Sequence, residues 1–518
     1  MARTPAARHR RRRRFTPRRW LPFVLLSALV VGATVIEPDS PSVTPEQLDP
    51  SLDLTIIPTV AAADAISTAW HCGGGSALGE EGIAEMTIVL ANDAATGAVA
   101  EVTVLGAEGP EATEQVEVPA YGRARVAVAD LLAADWAAAT VEVRGGRVSV
   151  EREVTGPLGF DSSPCASRAS DQWYVPSGAT ERGAELYLSI ANPFPDGASV
   201  DITLATDTGR RRPRALRSLS IPGGAVRVVR IGEVVTNRTE IAAEIDAKVG
   251  QVVVDRIQTY DGTGEPLTDA LGEDGPVAAD VPRGLVSTLA VPVRSDRWVF
   301  PGARIAPSVR TRIAIYNPSS EAAEVDVVTT YQDPERVPGV EPVALTIRPR
   351  QQVVVDLADI ADLVPEADLW IDVRSLDGVP VVAERLSYYG PDAPRRGAAA
   401  TVGSPVASTS WLVAQGGPTR LRSTTVQVAN PGAADAVVRV EQLVDGDRSP
   451  LEEATITVPA GDRRSLDLAG AGAAASLVIT SDEPVVVASS ISISAGEGIA
   501  LQPGVAHPEG VVALPPLR

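Results

Sequence analysis

Residues 186–204 read LYLSIANPFPDGASVDITL, and the relation between the two halves of this stretch decides the fold. Leu186, Leu188 and Ile190 alternate with Tyr187 and Ser189; Val200, Ile202 and Leu204 alternate with Asp201 and Thr203. A period of two sets one face on a core and the other toward water, as in antiparallel strands. Between the halves, Asn192-Pro193 reads as a turn, because Asn bonds its own backbone two residues on and Pro fixes φ. The stretch is expected to be a hairpin.

The same block occurs at 86–104 (MTIVLANDAATGAVAEVTV), 311–328 (TRIAIYNPSSEAAEVDVV) and 424–440 (TTVQVANPGAADAVVRV). Each follows a Trp, at Trp70, Trp173, Trp298 and Trp411, and the Asn lies 22, 19, 19 and 19 residues beyond it. A Pro-centred turn comes next (Pro119, Pro222, Pro349, Pro459), then a Val-rich run carrying Glu151-Arg152, Asp255-Arg256 or Glu384-Arg385. The fourth copy has Ser489-Ser490 instead, and the first has Asn92-Asp93 in place of Asn-Pro. Fixed spacing of this kind marks internal repeats.

With 44 Gly, 42 Pro and few aromatics, the composition favours short strands and many turns. The expected fold is all-β: four tandem antiparallel β-sandwich (Ig-like) repeats after an N-terminal transmembrane helix. A propeller with two blades per repeat is the rival use of the same strands. The boundaries are expected at 65–168, 169–283, 284–404 and 405–518. Short helical turns are expected near VADLLAAD and LADIADLVPEA.

Residues 1–20 hold nine Arg and no acid, which leaves 37 basic against 66 acidic residues in the rest, a formal −29. Residues 20–36 (WLPFVLLSALVVGATVI) carry no charge. Seventeen helical residues span about 25 Å, and flanking Arg can snorkel to reach the interface. The expected layout is a cytoplasmic segment (1–19), a signal anchor (20–36), a linker (37–64) and an extracytoplasmic body. Cleavage near Val31-Gly32-Ala33 is the alternative, and would leave the body secreted. Cys72 and Cys165 both lie in the exported part and are expected to form a disulfide, with a pair of buried free thiols as the alternative. Closing so long a loop stabilises by about 3–5 kcal/mol on the chain-entropy model.

The order Trp-x-x-x-Gly, Asn-Pro, Val-Pro-Ala-Gly, Val-Ala-Glu-Arg-x-x-Tyr resembles an uncharacterised family of membrane-anchored or secreted actinobacterial envelope proteins. Unit 3 matches best, with Trp298, Gly302, Asn317-Pro318, Glu384, Arg385 and Tyr388. The resemblance implies export and a repeated sandwich and brings no catalytic residue. One Lys, Lys248, beside 45 Arg fits GC-rich coding.

No reaction is indicated by the sequence. The three His (His9, His71, His507) give no Ser-His-Asp set, and GGGSALGEEG (73–82) fails both phosphate-loop patterns. No cofactor or metal is expected; YDGTGEP (260–266) has calcium-friendly oxygens but reads first as a turn. The acid-Arg steps point to opposite faces of a strand, so neither step forms a site alone; one member is expected inward and ion-paired across the sheet, the other exposed. Trp70, Trp173, Trp298 and Trp411, extended by Tyr174, are the candidate ligand-stacking residues, the alternative being rings that plug the sandwich ends. The reading is a non-enzymatic structural or interaction protein of the cell envelope. Its expected partners are the membrane, through residues 20–36, and a cell-wall glycan or envelope protein. An acidic body argues against nucleic acid.

Overall fold

The two halves of LYLSIANPFPDGASVDITL do not pair with each other. Strand Ala184–Asn192 pairs with Ala225–Arg230 and Val253–Asp261, whereas Ala198–Thr206 pairs with Gly209–Arg211, Leu219–Ile221 and Ile241–Val249. The Asn-Pro step is thus a corner that carries the chain from one sheet to the sheet facing it, and the hairpin expectation is corrected. Alternation cannot separate the two cases, because both strands bury the same parity of residues against one core. Leu186, Leu188 and Ile190 meet Val200, Ile202 and Leu204 across that core, beside Trp173.

This is a computed structural model that describes residues 57–264 and 281–514, except 307, 333–339, 361–362, 365, 416–421, 445, 469–474 and 494–497. The expected cytoplasmic segment and anchor lie outside the described residues, as does most of the expected linker. Among the described residues the only helices are three-residue 3-10 turns, including Val128–Asp130 and Leu357–Asp359 where helical turns were expected, and none is long enough to cross a membrane.

The corner is built the same way four times. Each Asn is buried, and its Oδ1 accepts from the backbone N–H two residues on: Ala94, Phe194, Ser319 and Gly432, at 2.8–3.1 Å. Its Nδ2 donates to the carbonyl four residues on, and also to a carbonyl at the Pro turn: Pro119, Pro222, Ile347 or Val458. One side chain therefore ties three backbone segments and leaves few of their buried polar groups unsatisfied.

Every unit makes an inner and an outer sheet. In unit 2 the inner order is Ala225–Arg230, Ala184–Asn192, Val253–Asp261, Arg283–Leu289; the outer sheet runs from Ala198–Thr206 through Ile241–Val249 to the Trp strand Gln172–Val175. Unit 3 repeats this plan. In unit 1 a parallel bridge at Ser76 and Glu85 links the two sheets, and in unit 4 the strand Ser476–Ile493 runs through both. Strand Arg283–Leu289 pairs with Val253–Asp261, so unit 2 extends to Leu289, beyond the expected boundary at 283. In sequence that strand looks like the lead-in to Trp298, because its partner lies more than twenty residues upstream.

The last strand of each inner sheet lies at a common axis: Gly159–Pro164, Arg283–Leu289, Gly397–Val402 and Ile499–Pro503. Each touches the corresponding strand of the units before and after it, and the fourth touches the first. The four inner sheets are arranged like the blades of a four-bladed propeller, one per unit rather than two. A Gly stands at the start of every axial strand (Gly159, Gly284, Gly397, Gly498), each with positive φ. A Cβ on Gly284 would sit 2.2 Å from the Ala398 nitrogen, and one on Gly498 2.7 Å from the Phe160 nitrogen. Closure also uses the amide of Val60, which donates to Ala506 at 2.9 Å, and Leu412, Ala414 and Val505 of unit 4, which pack into the core of unit 1.

Gly498→Ala is expected to destabilise the protein by about 1–3 kcal/mol through overpacking, and Gly232→Ala, whose nearest neighbour is 4.0 Å away, to be near neutral. Urea unfolding of both variants checks this; equal midpoints would remove the steric basis for closure.

Candidate functional site

The five candidate stacking residues are all buried: Trp70, Trp173 and Trp298 are 0% exposed, and Trp411 and Tyr174 are 2%. Their rings belong to the unit cores, so they offer no face to a sugar, and that expectation is corrected. A buried indole N–H calls for an acceptor, and three of the four find one; Trp70 Nε1 has none among the described residues. Trp173 donates to Val252, Trp298 to Val381 and Trp411 to Val485, at 2.8–3.1 Å, pinning the first strand of the unit to the start of the acid-Arg strand. Tyr174 donates to Gln172 and packs its ring on Tyr316 of unit 3. Cys72 and Cys165 form a disulfide across 93 residues, tying the Trp strand of unit 1 to the chain just past its axial strand.

The acid-Arg steps prove to be the junctions between units. Both members are buried, not one in and one out: Glu151, Arg152, Asp255, Arg256, Glu384 and Arg385 are each at most 3% exposed. Because neighbours on a strand face opposite ways, the acid looks back to the preceding unit and the Arg forward to the next. Arg152 of unit 1 pairs with Asp255 of unit 2 and bonds Ser287. Arg256 of unit 2 makes a two-pronged contact with Glu384 of unit 3, at 2.7 Å on each oxygen, and also donates to the Ser177 carbonyl at 2.8 Å. The acids in turn accept from the stretch that follows the Trp of the preceding unit. Gly74 N–H reaches Asp255 at 3.0 Å, the Ser177 hydroxyl reaches Glu384, and Ala414 N–H reaches Glu151 at 2.7 Å.

Unit 4 breaks this chain. Strand register places Ala488 opposite Gln427, as Asp255 stands opposite Ser189 and Glu384 opposite Ala314. The counterparts of acid and Arg are therefore Ala488 and Ser489, one residue earlier than the Ser489-Ser490 alignment read from the sequence. Losing both at once leaves an Arg without an acid on one side and an acid without an Arg on the other.

On the first side, Arg385 has no hydrogen-bond or ion-pair partner among the described residues, and burial lowers it to about 10. It lines a cavity of about 760 Å³, of mixed polar and apolar wall, between units 3 and 4. Arg463 covers part of the gap, donating to the Pro301 carbonyl at 2.9 Å. On the second side, burial raises Glu151 to about 7, against which the N–H groups of Ala414 and Gln415 and the Arg123 charge pull downward; Glu153 adds to the rise. Neighbouring Glu153 is held the other way, at about 2, by Arg422 and Arg125 bonds that outweigh its burial.

The same 4–1 junction explains why unit 1 has Asp93 instead of Pro. Its carboxylate accepts from Arg448 of unit 4 at 2.7 Å and from Arg147 at 3.3 Å, with His507 beside it. Burial lowers His507 to about 3 and His71 to about 4. Among the described residues no group of three His, Cys, Asp or Glu could hold a metal, and Asp261 of the calcium-like loop accepts from Thr263.

The sequence profile of a family of unknown function (DUF5719) matches residues 63–254 and 257–509. No curated protein matches the chain. Among solved structures, the Thermotoga maritima 1070 protein is 19% identical over 21% of this chain and 94% of its own, with a TM-score of 0.18. The Anabaena sensory rhodopsin transducer is 23% identical over 18% and 88%, with a TM-score of 0.16. A Streptomyces avermitilis α-L-rhamnosidase, complexed with L-rhamnose, is 10% identical over 80% and 56%, with a TM-score of 0.10. Likenesses this slight carry no argument.

Glu151 has an ordinary value of 4.5 and a folded one of about 7, so the folded state holds its proton more tightly. Its contribution is full below pH 4.5 and is lost as pH rises to about 7, a change on the order of 3 kcal/mol. The Glu151→Gln variant is expected to lack this loss, gaining on the wild type between pH 5 and pH 8 in urea unfolding. Parallel curves for the two proteins would contradict the assignment.

Proposed function

Because the chain belongs to that family of unknown function, we propose from its own geometry that it is a non-enzymatic structural or interaction protein of the cell envelope. We read each unit as a β-sandwich, and residues 20–36 as the anchor that holds the body outside the membrane. The carrying observation is the way the buried charges are spent: Arg152–Asp255 and Arg256–Glu384 lock unit to unit instead of facing a cleft. Groups committed to each other in this way hold a platform rigid. A closed ring also bears on the role, since it does not lengthen as a string of domains does; it suits a compact hub for partners more than a spacer. An oxidising location is supported by the Cys72–Cys165 bond, and export by the Arg-rich head before an uncharged run.

The test is chemical labelling in the producing cell. Cys72 and Cys165 are expected to resist a thiol reagent in unreduced, denatured protein and to label after reduction. A reporter fused after Arg518 that works only outside the cytoplasm is expected to be active. Labelling of both thiols without reductant, together with an inactive reporter, would overturn the placement.

A further inference from the structure

Two of the four junctions place a carboxylate against an Arg from the preceding unit, and the junction between units 3 and 4 repeats the Arg without the carboxylate. Arg385 is 3% exposed and makes no ion pair with an acid among the described residues; its Nε lacks a partner, as does that of the paired Arg256. A buried guanidinium left unpaired is costly, whereas the same group against a carboxylate is stabilised by charge and by two matched hydrogen bonds. A small void of about 10 Å³ touches Arg385, Pro301 and Ala488, where the missing side chain would begin. Beside it opens the cavity of about 760 Å³, within the roughly 300–1,000 Å³ typical of small-molecule sites.

We propose that the cavity between units 3 and 4 binds a small carboxylate-bearing molecule, whose carboxylate pairs with Arg385 as Glu384 pairs with Arg256. The proposal holds wherever the protein resides, and so goes beyond the envelope role.

The rest of the wall suits a polar ligand. Arg395 supplies a second cation, fixed by the hydroxyls of Ser490 and Thr425 at 3.2 Å each. Gln427 lines the same wall and has a buried amide oxygen with no partner. Four acids share the wall: Asp467 accepts from Thr425 and Asp368 from Arg304, while Glu366 and Asp392 line it as well. Hydroxyls of Ser387 and Ser465 complete a surface that can bond sugar-like or amide groups. Arg385 keeps its charge at neutral pH even at the value of about 10 that burial gives it.

The experiment titrates the full-length protein with sodium glucuronate, with glucose and with sodium chloride at matched ionic strength, following thermal unfolding and calorimetric heat. Glucuronate is expected to bind and raise the melting temperature, while glucose and chloride do neither. Arg385→Gln is expected to weaken glucuronate at least about tenfold. Ala488→Glu supplies from within the acid that the other junctions own; it is expected to raise the melting temperature without ligand and to abolish the glucuronate response. If Arg385→Gln fails to fold, Ala488→Glu decides alone. No glucuronate response in the wild type, an equal response to chloride, or undiminished binding in Ala488→Glu would each overturn the proposal.

Discussion

The ring depends on a buried Arg meeting a buried acid from the next unit. Arg256 and Glu384 are both almost fully removed from water. Desolvation of two such charges is repaid only when the geometry is good and the remaining polar atoms find partners. Here the Ser177 carbonyl accepts a hydrogen bond from the guanidinium and the Ser177 hydroxyl reaches the carboxylate, leaving only Arg256 Nε without a partner. The pair therefore orients three elements at once: two acid-Arg strands and the stretch after a Trp strand. An apolar contact of equal area would hold the sheets together but would not fix their register.

Strand geometry turns this local pair into a global arrangement. Adjacent residues face opposite sides, so a dipeptide of acid and Arg gives every unit a backward and a forward connector. In an open string the end connectors would face solvent; closing the ring buries them, as Glu151 and Arg385. Unit 4 drops both connectors and so preserves the balance of buried charge. The two resulting mismatches are handled differently: Glu151 rests on backbone N–H groups, while Arg385 faces a cavity.

Much of this was legible in the sequence. Period-two alternation, the Trp–Asn spacing and the Pro turns point to four all-β units, and the chemistry of Asn points to its bond two residues on. An even count and an exported position point to the Cys72–Cys165 pair. The cross-sheet corner was hidden because a hairpin and a corner bury the same residues, and only the second role of Asn192, donating to Pro222, distinguishes them. Trp burial was hidden because a ring that opens a strand looks alike whether it plugs a core or lines a groove. Ring closure was out of reach, since Gly498 and Phe160 meet across more than 300 residues. A signal existed, however, in the Gly that opens every axial strand, before Phe160, Leu285, Ala398 and Ile499.

The central claim is that the Arg-acid pairs couple one unit to the next. A double-mutant cycle of Arg256→Gln and Glu384→Gln, read by urea unfolding, measures that coupling directly. Each single change is expected to cost about 3–5 kcal/mol, because it strands a buried charge. The double variant is expected to cost less than the sum by about 1.5 kcal/mol or more. Additivity within about 0.5 kcal/mol would mean that the two residues are independent, and that something other than this pair joins unit 2 to unit 3.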